Sequence, residues 1–175
     1  YFELFLLELT TGLRRGELLA LQWDDLNLET GELQVTKQVY RTKEDGLLIS
    51  QPKTKSSIRT VSLPPTLLNI LKEYKESVNS RWMFPAPVKE DSPLDPAYIR
   101  TRLHLILEHA QCKQIRFHDL RHTFATIALG NGMDVKTLSA MLGHVSAATT
   151  LDIYTHITNP MRSEAAAKID QKIGK

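Results

Sequence analysis

The chain has one cysteine, no long apolar run and little net charge, and each shortage excludes something. A single cysteine, Cys112, leaves no internal disulfide and fits a reducing compartment. No apolar run approaches the ~20 residues that span a bilayer, so no membrane partner is expected. Low-complexity tracts are missing, and 24% charged residues stand beside 42% hydrophobic ones, a balance that supports a packed core. Net charge is +2 over 175 residues, so overall charge does not announce a nucleic acid. Its distribution is less neutral: Arg14, Arg15, Arg41, Lys43, Lys53, Lys55 and Arg59 crowd one third of the chain. Charge alone makes a solvated face and an anion-binding face about equally good readings of that crowding. The chain lacks a starting Met, and its first residues carry acids where a signal peptide carries bases. It is therefore expected to be a piece of a longer, cytoplasmic protein, of a length that suits one domain, 1–175.

What is there reads as helices around a short block of strands. Residues 1–12 place Phe2, Phe5, Leu6 and Leu9 at helical spacing, with Gly12 as the stop, and 15–22 read as a second helix burying Leu18, Leu19 and Leu21. Residues 32–41 alternate as a half-buried strand does. Lys43-Glu44-Asp45-Gly46 marks a turn, and 47–51 and 58–63 are two further strands. Pro64-Pro65 stops the sheet, and Thr66 is a candidate cap for a helix to about Ser80, with Leu67, Ile70, Leu71 and Tyr74 inward. Residues 81–94, with Pro85, Pro87 and Pro93, read as a long loop. Asp95-Pro96 opens a helix with proline at its first position. Helices near 118–130, 134–142, 147–157 and 161–173 follow, Asn131-Gly132 separating the first pair. Strands followed only by helices predict an α+β, mainly helical domain with a small three-stranded antiparallel sheet at one edge.

Chemistry-bearing side chains gather between Arg116 and His156. His118 and Arg121 are three apart and share a helix face, an anion site with proton-transfer capacity. His144 follows Leu142-Gly143, where glycine suits a helix end. Tyr154 follows ten residues later, beyond a further short helix. Upstream stand Thr11-Gly12-Leu13-Arg14-Arg15-Gly16-Glu17-Leu18 and, between two strand-like runs, Pro52-Lys53-Thr54-Lys55. Each motif alone is weak, and a lone Arg, His or Tyr in such places is more often a surface or packing residue.

In this order the motifs resemble those of the tyrosine recombinases, the phage-integrase family, and are nearest to integrases of conjugative transposons and phages. The resemblance covers 11–156. It implies a catalytic set of Arg14, Lys53, His118, Arg121, His144 and Tyr154, with Tyr154 as nucleophile and Lys53 as general acid. Lys55 is the rival acid two positions on, and Glu17 is a buttress of Arg14. Arg15, Arg41, Lys43, Lys55, Arg59 and His122 are candidate DNA contacts. It implies double-stranded recombination sites as partner, a tetramer on DNA and a monomer when isolated, accessory factors, and no cofactor or metal. It also implies N-terminal DNA-binding domains outside this chain, and a final helix, 161–175, exchanged between protomers through its stripe of Met161, Ala165, Ile169 and Ile173.

The chemistry suits those residue types. Breaking a phosphodiester needs an in-line nucleophile, neutralised nonbridging oxygens and a proton for the leaving 5′-oxygen. Phosphoryl transfer is mostly positioning and electrostatics, commonly with metal ions. Two arginines can stand in for the metal, because each donates paired bonds to phosphate and stays charged. A rival reading uses His118 and His122, four apart, as a metal pair in a phosphodiesterase, but it lacks a third ligand in the sequence. A DNA-binding module without catalysis is the third reading.

Overall fold

A computed structural model describes residues 1–52, 57–89 and 91–143. The described chain runs α1 (Phe2–Thr11), α2 (Arg15–Leu19), a 3-10 turn (Trp23–Asp25), β1 (Glu32–Val35), β2 (Gln38–Thr42), β3 (Gly46–Ser50), β4 (Arg59–Ser62), α3 (Pro65–Glu76), α4 (Pro96–His109), α5 (Phe117–Gly130) and α6 (Val135–Leu142). The α+β, mainly helical class expected from the sequence is what forms. The expected helices at 147–157 and 161–173 lie outside the described residues. No helix among the described residues is long and apolar enough to cross a membrane.

The sheet differs from expectation. The run 32–41 is two strands, broken at Thr36-Lys37, and the strands form two separate antiparallel ladders, β1 with β4 and β2 with β3. Lys37 supplies the reason. Its ammonium turns back to the 3-10 turn, 2.9 Å from Asp25 and 3.0 Å from the Gln22 side chain. β1 alternates as read, with Leu33 and Val35 buried and opposite Val61 and Arg59. The β2–β3 hairpin closes where Thr42 pairs with Gly46, and Val39 is its buried contact.

Local rules set the helix ends. Asp95 caps α4 by accepting from the Ala97 N–H at 2.7 Å, and Asp134 caps α6 from Thr137 at 2.9 Å. Pro65, not Thr66, opens α3, its fixed φ serving the first helical position. α3 buries Leu67, Leu68 and Leu71, with Leu68 taking the place expected of Ile70. α1 also turns differently: Leu4, Leu7, Glu8 and Thr11 are buried, while Phe2 and Leu9 face out. It is wedged between α5 and α3, so two flanks define its inner face. The described residues of the proline-rich segment 81–94 form no helix or named strand but include core residues Trp82, Met83 and Phe84. Most buried leucines form one cluster, and Phe124, Ala125, Ala128, Leu129, Leu138 and Leu142 form a second between α5 and α6.

Candidate active site

The site is assembled at the junction of α1, α2, α5 and α6. Gly12 ends α1 in the left-handed region, φ 60°, with its N–H on the Glu8 carbonyl. A Cβ there would lie 2.3 Å from Cδ1 of Phe124, so only glycine lets α5 come this close. At Gly16 a Cβ would lie 2.6 Å from the Val39 carbonyl oxygen, so glycine keeps α2 against β2. Between these two close approaches Arg14 takes the N-cap position of α2.

Glu17 anchors the arginines. Its carboxylate accepts from the Arg14 backbone N–H at 2.9 Å, from Arg14 Nη1 at 2.8 Å and from Arg59 Nη2 at 2.8 Å. Burial alone would push its pKa up. Hydrogen bonding and charge from Arg59, followed by the Arg14 bonds, outweigh that and hold it below the ordinary carboxylate value.

Three guanidinium groups then converge on the end of α6. Arg59 Nε donates to the Met141 carbonyl, Arg121 Nη2 to Leu142 at 2.7 Å and Arg14 Nη2 to Gly143 at 2.9 Å. A helix C-terminus carries unpaired carbonyls and partial negative charge, which is what cations cap well. Arg121 also donates to the Gly12 carbonyl at 2.6 Å, fastening the end of α1 to the same point. Burial, reinforced by the charge of Arg14, lowers the Arg121 pKa to about 10, which leaves it protonated at neutral pH. Its residue is 4% exposed, whereas the Arg14 side chain is 37% exposed and offers an open edge.

His118 lies in the first turn of α5, its ring meeting that of His122 edge-on with centroids 4.8 Å apart. Desolvation, then the neighbouring His122 and Arg121 charges, hold the His118 imidazole below the ordinary histidine value. No third histidine, cysteine or carboxylate joins this pair in a metal-binding group among the described residues.

Arg14, Glu17 and Arg121 thus come together as the sequence led us to expect, and His118 stands on the same helix as Arg121. Arg59, read from the sequence as a DNA contact, is drawn into the cluster as a structural tie. Arg15 faces a neighbouring cleft, Arg41 is exposed and ion-paired with Asp95, and Lys43 is exposed at the hairpin turn. Lys53, Lys55, His144 and Tyr154 lie outside the described residues. His144 directly follows the Gly143 that Arg14 holds. Sequence reasoning missed the inward direction of Arg59. The signal was present: on β4 it shares parity with buried Val61. It also missed Glu8, buried on α1 with neither carboxylate oxygen hydrogen-bonded among the described residues.

Comparison with known proteins agrees with this architecture. Residues 3–160 match the Phage integrase family. A "Tyrosine recombinase XerC-like" protein of Caldanaerobacter subterraneus subsp. tengcongensis is 35% identical over 95% of this chain and 48% of its own length. The ICEBs1 integrase of Bacillus subtilis is 33% identical over 91% of this chain and 46% of its own length. Among solved structures, the Tn1549 transposon integrase in complex with transposon right end DNA superposes with a TM-score of 0.83 at 21% identity, over 99% of this chain and 59% of that one. The XerA recombinase gives 0.72 at 27% identity, over 93% and 54%. The chain spans about half the length of the curated relatives it matches. With the four motifs in order, this fold and a match over residues 3–160, the chain belongs to the phage integrase family.

Proposed function

We propose that this chain is the catalytic portion of a site-specific DNA recombinase, one that cleaves and rejoins duplex DNA through a 3′-phosphotyrosyl intermediate to integrate and excise a mobile element. The observation that carries the reading is the convergence of Arg14 and Arg121 on the end of α6, the residues that precede His144 in the sequence, with Glu17 fixing Arg14 from behind. Two permanent cations held by buried partners are pre-organised for a phosphodiester, with little reorganisation left for the moment of reaction. The integrase, transposon and DNA-complex relatives support the same assignment.

In this mechanism the Tyr154 phenol oxygen attacks phosphorus in line. A free phenol, pKa about 10, is a weak nucleophile at neutral pH, and nearby positive charge favours its phenolate. Arg14 and Arg121 offset charge on the nonbridging oxygens. His118 and His144 contact the phosphate and shuttle protons. Lys53 protonates the departing 5′-oxygen. The new bond from phosphorus to the Tyr154 oxygen replaces the bond from phosphorus to the 5′-oxygen, which leaves as the 5′-hydroxyl, so the link retains its energy and a second DNA end can be joined without ATP. Arg15, Arg41, Lys43, Lys55 and His122 are the further DNA contacts we propose. On DNA the full protein works as a tetramer, with domains preceding this chain clamping the duplex and helix 161–175 docking on a neighbouring protomer.

The test is a plasmid carrying the element's sites, incubated with the intact protein with and without excess chelator. Recombinant and relaxed products that survive the chelator are expected. Products that vanish and return with zinc or magnesium would instead favour a metal-dependent nuclease, and binding with no strand change a non-catalytic module.

A further inference from the structure

Glu8 is a misfit in its own helix. It stands on the face of α1 that buries Leu4 and Leu7, and it is 1% exposed. A leucine would fill such a position. A carboxyl there, with neither oxygen hydrogen-bonded among the described residues, costs stability. Its neighbours are those of the arginine cluster. The Glu8 carbonyl accepts the Gly12 N–H at 2.7 Å, and the Gly12 carbonyl accepts Arg121 Nη1 at 2.6 Å. Arg121 from α5 and Glu17 from α2 are the charges that act on the Glu8 carboxyl, Arg121 drawing its proton off and Glu17 holding it on. Glu8 in turn acts on Arg121. The cavity of about 330 Å³ alongside brings Arg15, Arg100, His104, Arg116 and His118. On the other flank of α1, α3 adds no charge that acts on Glu8 among the described residues. Burial outweighs the pull of Arg121 and favours the neutral acid.

We propose that Glu8 is a positioning residue for strand cleavage: kept as a neutral acid, it leaves the full charge of Arg121 to the scissile phosphate, and once ionised it takes that charge for itself. The inference rests on the DNA-cleaving reading above. The charges of the cluster carry it. Three guanidinium groups, Arg14, Arg59 and Arg121, with the one carboxylate of Glu17 leave two positive charges. A phosphodiester carries one negative charge, and attack by a phenolate brings a second. The five-coordinate arrangement is thus doubly negative, and the cluster matches it while Glu8 stays neutral. Ionisation of Glu8 would leave one positive charge. It would also put the new carboxylate in a water-excluded interior, where charges act on one another most strongly. Arg121 cannot turn away from it, being 4% exposed with its two Nη groups held on Gly12 and Leu142. In this scheme Glu8 touches no substrate. It acts through Arg121, and the proton it holds is the control.

The test is the pH profile of DNA cleavage by the intact protein, for wild type and for Glu8→Gln, whose amide copies the neutral acid. Rates are taken below saturating DNA, where they report the ionisations of the free protein, and below each thermal midpoint, so that unfolding does not enter. Sulfur in place of the bridging 5′-oxygen removes the need to protonate the leaving group, and Lys53 drops out of the profile. The ratio of variant to wild-type rate then isolates position 8. It should be level in acid and rise by about tenfold or more as Glu8 ionises in wild type, the reach of one added charge close to Arg121. Glu8→Met, apolar and of similar length, is the second variant should the amide disturb the core, and it should show the same rise. A purely structural role would shift the rates by one factor at every pH. A flat ratio in either folded variant, or a ratio that falls as pH rises, would overturn the role of Glu8 while cleavage by wild type upheld the recombinase reading. Wild type that cleaves neither the native nor the sulfur substrate would overturn both.

Discussion

Arg59 and Glu17 form a two-pronged ion pair inside the protein, Nη2 lying 2.8 Å from Oε2 and Nη1 3.2 Å from Oε1, with side chains 7% and 1% exposed. The remaining Arg59 donors reach the carbonyls of Ser57 and Met141. One side chain therefore ties β4 to α2 and to the end of α6. Arg14 leans on the same carboxylate from its other edge. The result is a buried acid whose two arginines serve different ends, one closed in and one open to a ligand.

Because the pair is buried, truncating one partner strands the other. Arg59→Met is expected to cost about 3–5 kcal/mol of folding stability, the usual penalty for an uncompensated buried charge. Arg59→Lys keeps the charge but not the fork and should fall between. Urea denaturation measures both. A loss below ~1 kcal/mol for Arg59→Met would mean that Glu17 does not depend on it.

The two glycines of the first motif make a second, separable prediction. Gly16→Ala puts a methyl group 2.6 Å from the Val39 carbonyl, so α2 must lift from β2. The expected cost is about 1–3 kcal/mol, as for other overpacking changes. It should be accompanied by weaker DNA cleavage, because Arg14 and Glu17 ride on α2. Stability at the wild-type level would show that the contact yields without strain.

Glu8 gives a pH signature. Its folded-state pKa lies well above the ordinary 4.5, chiefly through burial, with Glu17 adding to the effect and Arg121 opposing it. A raised carboxyl pKa contributes stability that is complete below 4.5 and is lost as pH rises through the folded-state value. Glu8→Gln cannot ionise. Its stability relative to wild type should therefore be level below 4.5, climb as pH rises toward the folded-state value of Glu8 and level off above it, as read by thermal midpoints. A difference that stays flat with pH would place the Glu8 carboxyl in an ordinary environment.

Local punctuation made most helix limits readable in advance. Gly12 and Asp95-Pro96 stop or start helices through backbone chemistry that the sequence states directly. The motif order singled out Arg14 and Arg121, which the fold brings to the same helix end. Other features depend on partners far along the chain. Arg14 meets Gly143 across 129 residues, Arg121 meets Gly12 across 109 and Arg59 meets Met141 across 82, and no local pattern encodes those meetings. The break in the first strand escaped for the same reason, because Lys37 looks like an ordinary half-exposed strand residue until Asp25 is beside it. The buried face of α1 was misread because Glu8, a carboxylate, occupies it.

The general acid can be tested by changing the leaving group. Lys53→Ala should slow strand cleavage by about 10²–10⁴-fold, the usual contribution of a positioned acid. A substrate with sulfur for the bridging 5′-oxygen needs little protonation and should restore the rate of Lys53→Ala selectively. Rescue of Lys55→Ala in its place would move the acid two residues along.

The most direct test of the account is covalent trapping on a nicked suicide substrate, in which the cleaved 5′-hydroxyl fragment diffuses away and rejoining is blocked. The intact protein should accumulate a protein–DNA adduct in excess chelator, and peptide mapping should locate the DNA on Tyr154. Tyr154→Phe keeps the ring but not the oxygen, and should bind the same DNA while forming no adduct. An adduct formed by Tyr154→Phe, or mapped to another side chain, would contradict the assignment on which the mechanism rests.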